Sequence, residues 1–219
     1  MKLIKGTASA LLSLAIAVLI LMSAIRLLLT PVFYQVEYRL PYFPADPYGF
    51  TFEERLNGAR ISIDYLLNDA GLEYFDSFKL KDGSAFYNPR ELSHMQDVKI
   101  LVQNLICALW VLLIVVVGVG LLSWRIHALP GYWKAHSRGG LGVLSLVAGV
   151  LIFVLLSFSA LFTRFHMLFF TEDTWMFQYS DTLIRLFPMQ FWQDAFIWVG
   201  ILSILLGLAT FLLGRHWSK

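Results

Sequence analysis

Two of the five histidines in this chain stand where they could move protons. His94 lies six residues after Asn88, which reads as a helix N-cap, and Asp97 follows it at i+3 on the same helical face. A carboxylate so placed can orient an imidazole. His166 closes a long apolar stretch, two residues after Arg164. Two histidines on separate helices at one depth could form a general acid–base pair. They could also be two metal ligands, but neither HExxH nor a third clear ligand accompanies them, so no metal is expected. A purely structural role is the third possibility. No serine sits in G-x-S-x-G, and Ser93 reads simply as a helix residue. Acyl transfer to an amine carried by the substrate would need no enzyme nucleophile. His127, His136 and His216 fall in basic segments and read as surface residues.

The elements that must position this pair are membrane helices. The 219 residues are 58% hydrophobic and only 15% charged, against about 25% charge in soluble domains. Four apolar stretches can cross ~30 Å of hydrocarbon. The expected organisation is a first transmembrane helix in 1–32, an extracellular domain in 33–99 and a second helix in 100–122. A cytoplasmic loop (123–140), a third helix (141–163), an extracellular loop (164–190), a fourth helix (191–213) and a cytoplasmic tail (214–219) complete it. The first stretch is too long for a signal-peptide core and lacks a cleavage site, so it is read as a retained helix. Cys107, the single cysteine, lies within the second stretch and reads as a small apolar residue.

Charge sets the orientation. Lys2, Lys5, Arg125, Lys134, Arg138, Arg215 and Lys219 occupy the termini and the 123–140 loop, with no carboxylate among them. Every Asp and Glu lies in 33–99 or 164–194. Short basic loops stay cytoplasmic. Both termini are therefore expected inside a bacterial plasma membrane, with the acidic segments outside.

The first outer segment reads as a small α+β domain on an otherwise all-α, four-helix membrane protein. Tyr34–Leu40 alternates as a strand would. Thr51 and Glu54 make a capping box ahead of an amphipathic helix ending near Gly71. Phe78–Leu80 and Ala85–Tyr87 flank Asp82-Gly83, a hairpin signal. Asn88, Pro89 and Glu91 open a helix that runs unbroken into the second span.

Polar residues in the spans share one depth. Arg26, Gln103, Asn104, Arg164, His166 and Asp194 all fall in the outer third by this topology. Such groups are costly in lipid and usually functional. They predict a polar chamber open to the outer leaflet, with Gln103, Asn104 and Asp194 binding substrate. The apolar midplane argues against a transport path.

Several motifs then suggest a family. Asn88-Pro-Arg-Glu-Leu-Ser-His94-Met-Gln-Asp97-Val-Lys99, Arg164-Phe-His166-Met-Leu-Phe-Phe170, Trp175, and Asp181-Thr-Leu-Ile-Arg185-Leu-Phe-Pro188 with Phe191-Trp192 resemble the lipoprotein intramolecular transacylase family. The resemblance covers the whole chain. It implies a membrane acyltransferase that moves the sn-2 acyl chain of a diacylglyceryl lipoprotein to the α-amino group of its N-terminal cysteine. His94 and His166 would be catalytic. Asp97, Arg164 and Arg26 would orient or stabilise the oxyanion, and Trp175, Asp181 and Arg185 would contact substrate. Ester to amide is downhill, so no cofactor is expected. The expected partners are the lipoprotein and membrane lipids, not nucleic acid, and the chain is expected to act as a monomer. The alternatives are a membrane lipase or hydrolase acting on outer-leaflet lipid esters, and a non-enzymatic interaction protein.

Overall fold

The computed structural model describes residues 2–170 and 174–219, with side chains from residue 6 onward. The Lys2 and Lys5 side chains, and Glu172 and Asp173 in the 164–190 segment, lie outside the described residues. Among the described residues, seven α-helices run in the order α1 (Lys2–Leu28), α2 (Pro31–Glu37), α3 (Phe52–Leu67), α4 (Pro89–Arg125), α5 (Leu129–Phe169), α6 (Thr182–Leu186) and α7 (Met189–Trp217), with a 3₁₀ turn at Leu72–Ser77. Stretches of α1, α4, α5 and α7 are long and apolar enough to cross a membrane. Contacts divide the chain into two units.

The first unit comprises Met1–Leu27, Leu105–Leu156 and Phe196–Lys219. Ile16, Ile20, Val116, Val143 and Val147 form its buried core. Helices α5 and α7 approach closely at Gly140, where a Cβ would lie 2.6 Å from the Gly207 carbonyl. Small residues permit such backbone contact where lipid supplies no hydrophobic drive. The expected 123–140 loop is shorter than its composition suggested. Helix α4 ends at Arg125 and α5 starts at Leu129, joined through His127 with a positive φ of 55°.

The second unit comprises Leu28–Asn104 and Ser157–Ala195. Both capping boxes form. Glu54 N donates to Thr51 Oγ1 at 3.2 Å and Thr51 N to Glu54 Oε2 at 2.7 Å. Asn88 Oδ1 accepts from Glu91 N at 3.0 Å, and Asn88 N donates to Glu91 Oε2 at 2.7 Å. Glu91 Oε1 also accepts from Leu183 N, which ties α6 to the start of α4. Tyr38 donates to the Leu186 carbonyl at 2.7 Å. Gly58 lets α3 seat Leu186, whose Cδ2 would stand 2.7 Å from an added Cβ.

The expected α+β character is not found: no strand occurs among the described residues. Tyr34–Leu40 belongs to α2 and the turn after it. Pro31 opens a helix there, and the 3.6-residue period buries Tyr34, Glu37 and Tyr38 together. The hairpin signal reduces to one bridge, Lys79 with Ala85. Asp82 Oδ1 accepts from Ser84 N and Gly83 takes φ +83°, so the turn forms, but no ladder extends from it.

Candidate active site

Helix α4 carries His94 and α5 carries His166. Both rings are buried, each 7% exposed, and both belong to the second unit. Their centroids are 6.1 Å apart with the planes inclined at 22°. Within α5, His166 lies beyond Ser157, where the backbone leaves helical geometry (φ −163°, ψ 86°).

The two imidazoles are held differently. His166 Nδ1 lies 2.8 Å from the Phe162 carbonyl, one turn earlier. A carbonyl only accepts, so Nδ1 carries the proton and Nε2 offers a lone pair when the ring is neutral. His94 Nδ1 has no hydrogen-bond partner among the described residues. Aromatic rings wall the pair: Phe170 and Phe177 lie 4.8 and 5.4 Å from His94, and Phe162 and Trp175 lie 4.0 and 4.9 Å from His166. The Trp175 indole N–H is buried without an acceptor among the described residues. Two imidazoles and an indole N–H therefore meet in an apolar enclosure, groups of the kind that proton transfer beside a developing oxyanion uses.

The sequence profile described as "Lipoprotein intramolecular transacylase Lit" matches residues 10–192. The chain belongs to the Lit family. An uncharacterized protein of Aquifex aeolicus (strain VF5) is 35% identical over 199 residues, covering 89% of this chain and 88% of that protein. The fold matches the in meso structure of Bacillus cereus Lit, a membrane-integral lipoprotein intramolecular transacylase. The TM-score is 0.83 at 18% identity, covering 99% of this chain and 97% of that one. A structure of the Bacillus enzyme with one histidine replaced by alanine matches with a TM-score of 0.70 at 18% identity, covering 98% and 95%. As a Lit family member the chain is a membrane acyltransferase, a lipoprotein intramolecular transacylase.

Within this Lit fold the other expected site residues divide. Trp175 stands at the histidines. Asp97 is half-buried on α4, but His94 Nδ1 takes no bond from it. Arg164 is exposed, beside a surface groove with Thr163 and Met167. Two residues along a helix turn about 200°, so it points away from His166. Arg26 is half-buried in the first unit. Gln103 donates to the Asn68 carbonyl at 3.0 Å, whereas Asn104 is exposed. Asp181 accepts from Gln178 N and from the Asn88 amide. Arg185 pairs with Asp46, Nη2 to Oδ2 at 3.0 Å. Burial would raise the Asp46 carboxyl, but bonds from Arg185 and the Phe50 amide outweigh it and hold it below its ordinary value.

Asp194, 6% exposed, accepts from Gln190 at 2.9 Å. Near it is a residue that sequence reasoning missed. Glu37 is fully enclosed, and among the described residues neither carboxylate oxygen has a donor. Burial, then the adjacent Asp194 carboxylate, push it up to about 8. The strand reading hid it by assigning it a solvent face. Helical spacing between Tyr34 and Tyr38 was the available signal. Lys99, also missed, donates to Asn68 Oδ1 at 3.0 Å over the Tyr65 ring.

Proposed function

We propose that His94 and His166 transfer the sn-2 acyl chain of a diacylglyceryl lipoprotein to the α-amino group of its N-terminal cysteine. The carrying observation is the unequal bonding of the two rings: His166 has its Nδ1 proton committed, and His94 has an imidazole nitrogen free.

The α-amino group has an ordinary pKa near 8, so its neutral form is accessible at physiological pH. That nitrogen attacks the sn-2 carbonyl carbon. His166 Nε2 takes one proton from the nitrogen adduct. The Trp175 indole N–H donates to the carbonyl oxygen as it becomes negative. Burial, and then the neighbouring His166, lower the His94 pKa to about 4, so both rings enter neutral. When the carbon–oxygen bond to glycerol breaks, the proton taken by His166 is relayed through His94 to the departing oxygen. One amine proton thereby becomes the hydroxyl proton of the departing glycerol, and both rings end neutral as they began. Juxtaposing amine and ester supplies much of the acceleration. No step needs ATP or a metal.

The distribution of charge supports a site at the outer leaflet with both termini cytoplasmic: seven basic residues without a carboxylate on one side, all fifteen carboxylates on the other. Asp181, Arg185 and Gln103 serve by tying the loops and helices around the site, and the chain acts as a monomer.

Mass spectrometry of lipoprotein N-terminal lipopeptides, with and without this protein, tests the reading. The expected product keeps its total mass but carries one acyl chain as an amide. A product lighter by one acyl chain, with free fatty acid released, would instead identify a hydrolase.

A further inference from the structure

A second cavity in the same unit lies apart from the histidines. Its volume is about 310 Å³, and Arg55, Arg185, Tyr48, Tyr179 and Pro188 contribute to its walls. We propose that it binds the phosphate group of an anionic phospholipid.

Charge carries the argument. Arg55 is 6% exposed. Its Nη1 donates to the Pro44 carbonyl at 2.6 Å, and the guanidinium lies over the Tyr38 and Phe43 rings at 5.1 and 4.8 Å. Its Nε has no acceptor. The nearby carboxylate, Asp46, is committed to Arg185 through Nε at 3.2 Å and Nη2 at 3.0 Å. Asp46 is the carboxylate coupled to Arg55 and is already bonded by Arg185, so among the described residues the buried Arg55 guanidinium has no ion pair of its own. An enclosed, unpaired charge is costly. A monoanion would offset that cost, and a phosphate presents the oxygens that a guanidinium fork best engages.

Position selects the source. Pro188 immediately precedes α7, one of the membrane-crossing helices. One wall of the cavity therefore stands where a span leaves the hydrocarbon, the level at which lipid phosphates lie. Tyr48 and Tyr179 are exposed, as expected of phenol side chains at headgroup depth. The volume suits a phosphate with its glycerol. The inference does not depend on the histidine mechanism.

Binding to the full-length protein in detergent, measured by native mass spectrometry, tests it. The probes are dioleoyl phosphatidylglycerol, dioleoyl phosphatidylcholine and soluble glycerol phosphate. Phosphatidylglycerol should bind the parent protein best. Its binding should weaken by at least about tenfold in Arg55→Gln, as expected for loss of a charge-assisted hydrogen bond. It should weaken similarly in Ala45→Trp, which fills the rim and leaves the Arg55 contacts intact. If Arg55→Gln does not fold, Ala45→Trp decides. Unchanged phosphatidylglycerol binding in the folded variants would overturn the site. Equal binding of phosphatidylcholine would overturn the requirement for an anion. Glycerol phosphate binding as tightly as the lipid would replace the headgroup with a soluble phosphate.

Discussion

His166 is bonded through Nδ1 to its own helix, whereas His94, whose ring centre is 6.1 Å away, has an Nδ1 without any partner. Under the proposed mechanism this asymmetry divides the labour. A ring fixed in one tautomer is a dependable base, and a ring with a free nitrogen can give its proton to whatever enters the gap.

His94→Ala and His166→Ala should each lower formation of the N-acyl product by about 10²–10⁴. The double variant should be little worse than the poorer single one, because the two act as a unit. His127→Ala, at the α4–α5 turn, should stay near the parent rate. Fragmentation of the N-terminal lipopeptide after timed incubation, which tells an amide-linked from an ester-linked acyl chain at equal mass, reads all four. A double variant with full activity would end the mechanism.

Trp175→Phe keeps an aromatic ring beside His166 and removes the unpartnered indole N–H. If that N–H donates only to the oxyanion, kcat should fall by roughly 10²-fold, with KM little changed. A rise in KM alone would assign Trp175 to substrate packing.

Glu37 gives the fold a pH dependence. Its carboxyl is raised from 4.5 to about 8, by burial first and by Asp194 second. The folded state therefore keeps a proton that the unfolded state releases above pH 4.5. The stability due to this proton is complete below pH 4.5 and is lost as pH rises through 8. Thermal denaturation in detergent should show the parent protein losing stability across that window. Glu37→Gln, neutral throughout, should give a flatter profile. Parallel profiles would show that Glu37 titrates normally.

The Arg185–Asp46 pair closes the 43–50 loop onto α6, with Asp46 fully enclosed. Asp46→Asn leaves a second buried guanidinium unpaired and should cost about 3 kcal/mol. Thermal unfolding measures that cost. Transacylation at low temperature should persist, because the pair does not touch the histidines.

Much of this was legible in the sequence because it rests on local signals. Capping residues at Thr51 and Asn88 fixed two helix starts, and the apolar run after Pro89 required α4 to be continuous. His166 was legible because it interrupts an apolar run at the end of a span, and His94 because it follows the Asn88 cap by six residues with Asp97 at i+3. The α2 region was not, since seven residues from Tyr34 to Leu40 satisfy a period of two as easily as one of 3.6, and only packing against Leu186 and Phe191 decides between them. Asp97 and Arg164 show the other limit. Spacing places a residue on a helical face, but a hydrogen bond needs a direction that spacing does not supply.

Helix α4 has a mechanical consequence. Within the second unit it runs as unbroken helix from Pro89 to Asn104. His94 rides six residues, about 9 Å, beyond Ile100, where the apolar run begins. With no joint between them, bilayer thickness becomes a ruler for the reacting group. A thicker membrane draws His94 toward the acyl tails, and a thinner one lifts it into water unless the helix tilts. Lipid chain length should therefore tune the rate of this enzyme even where the lipid is no part of the reaction.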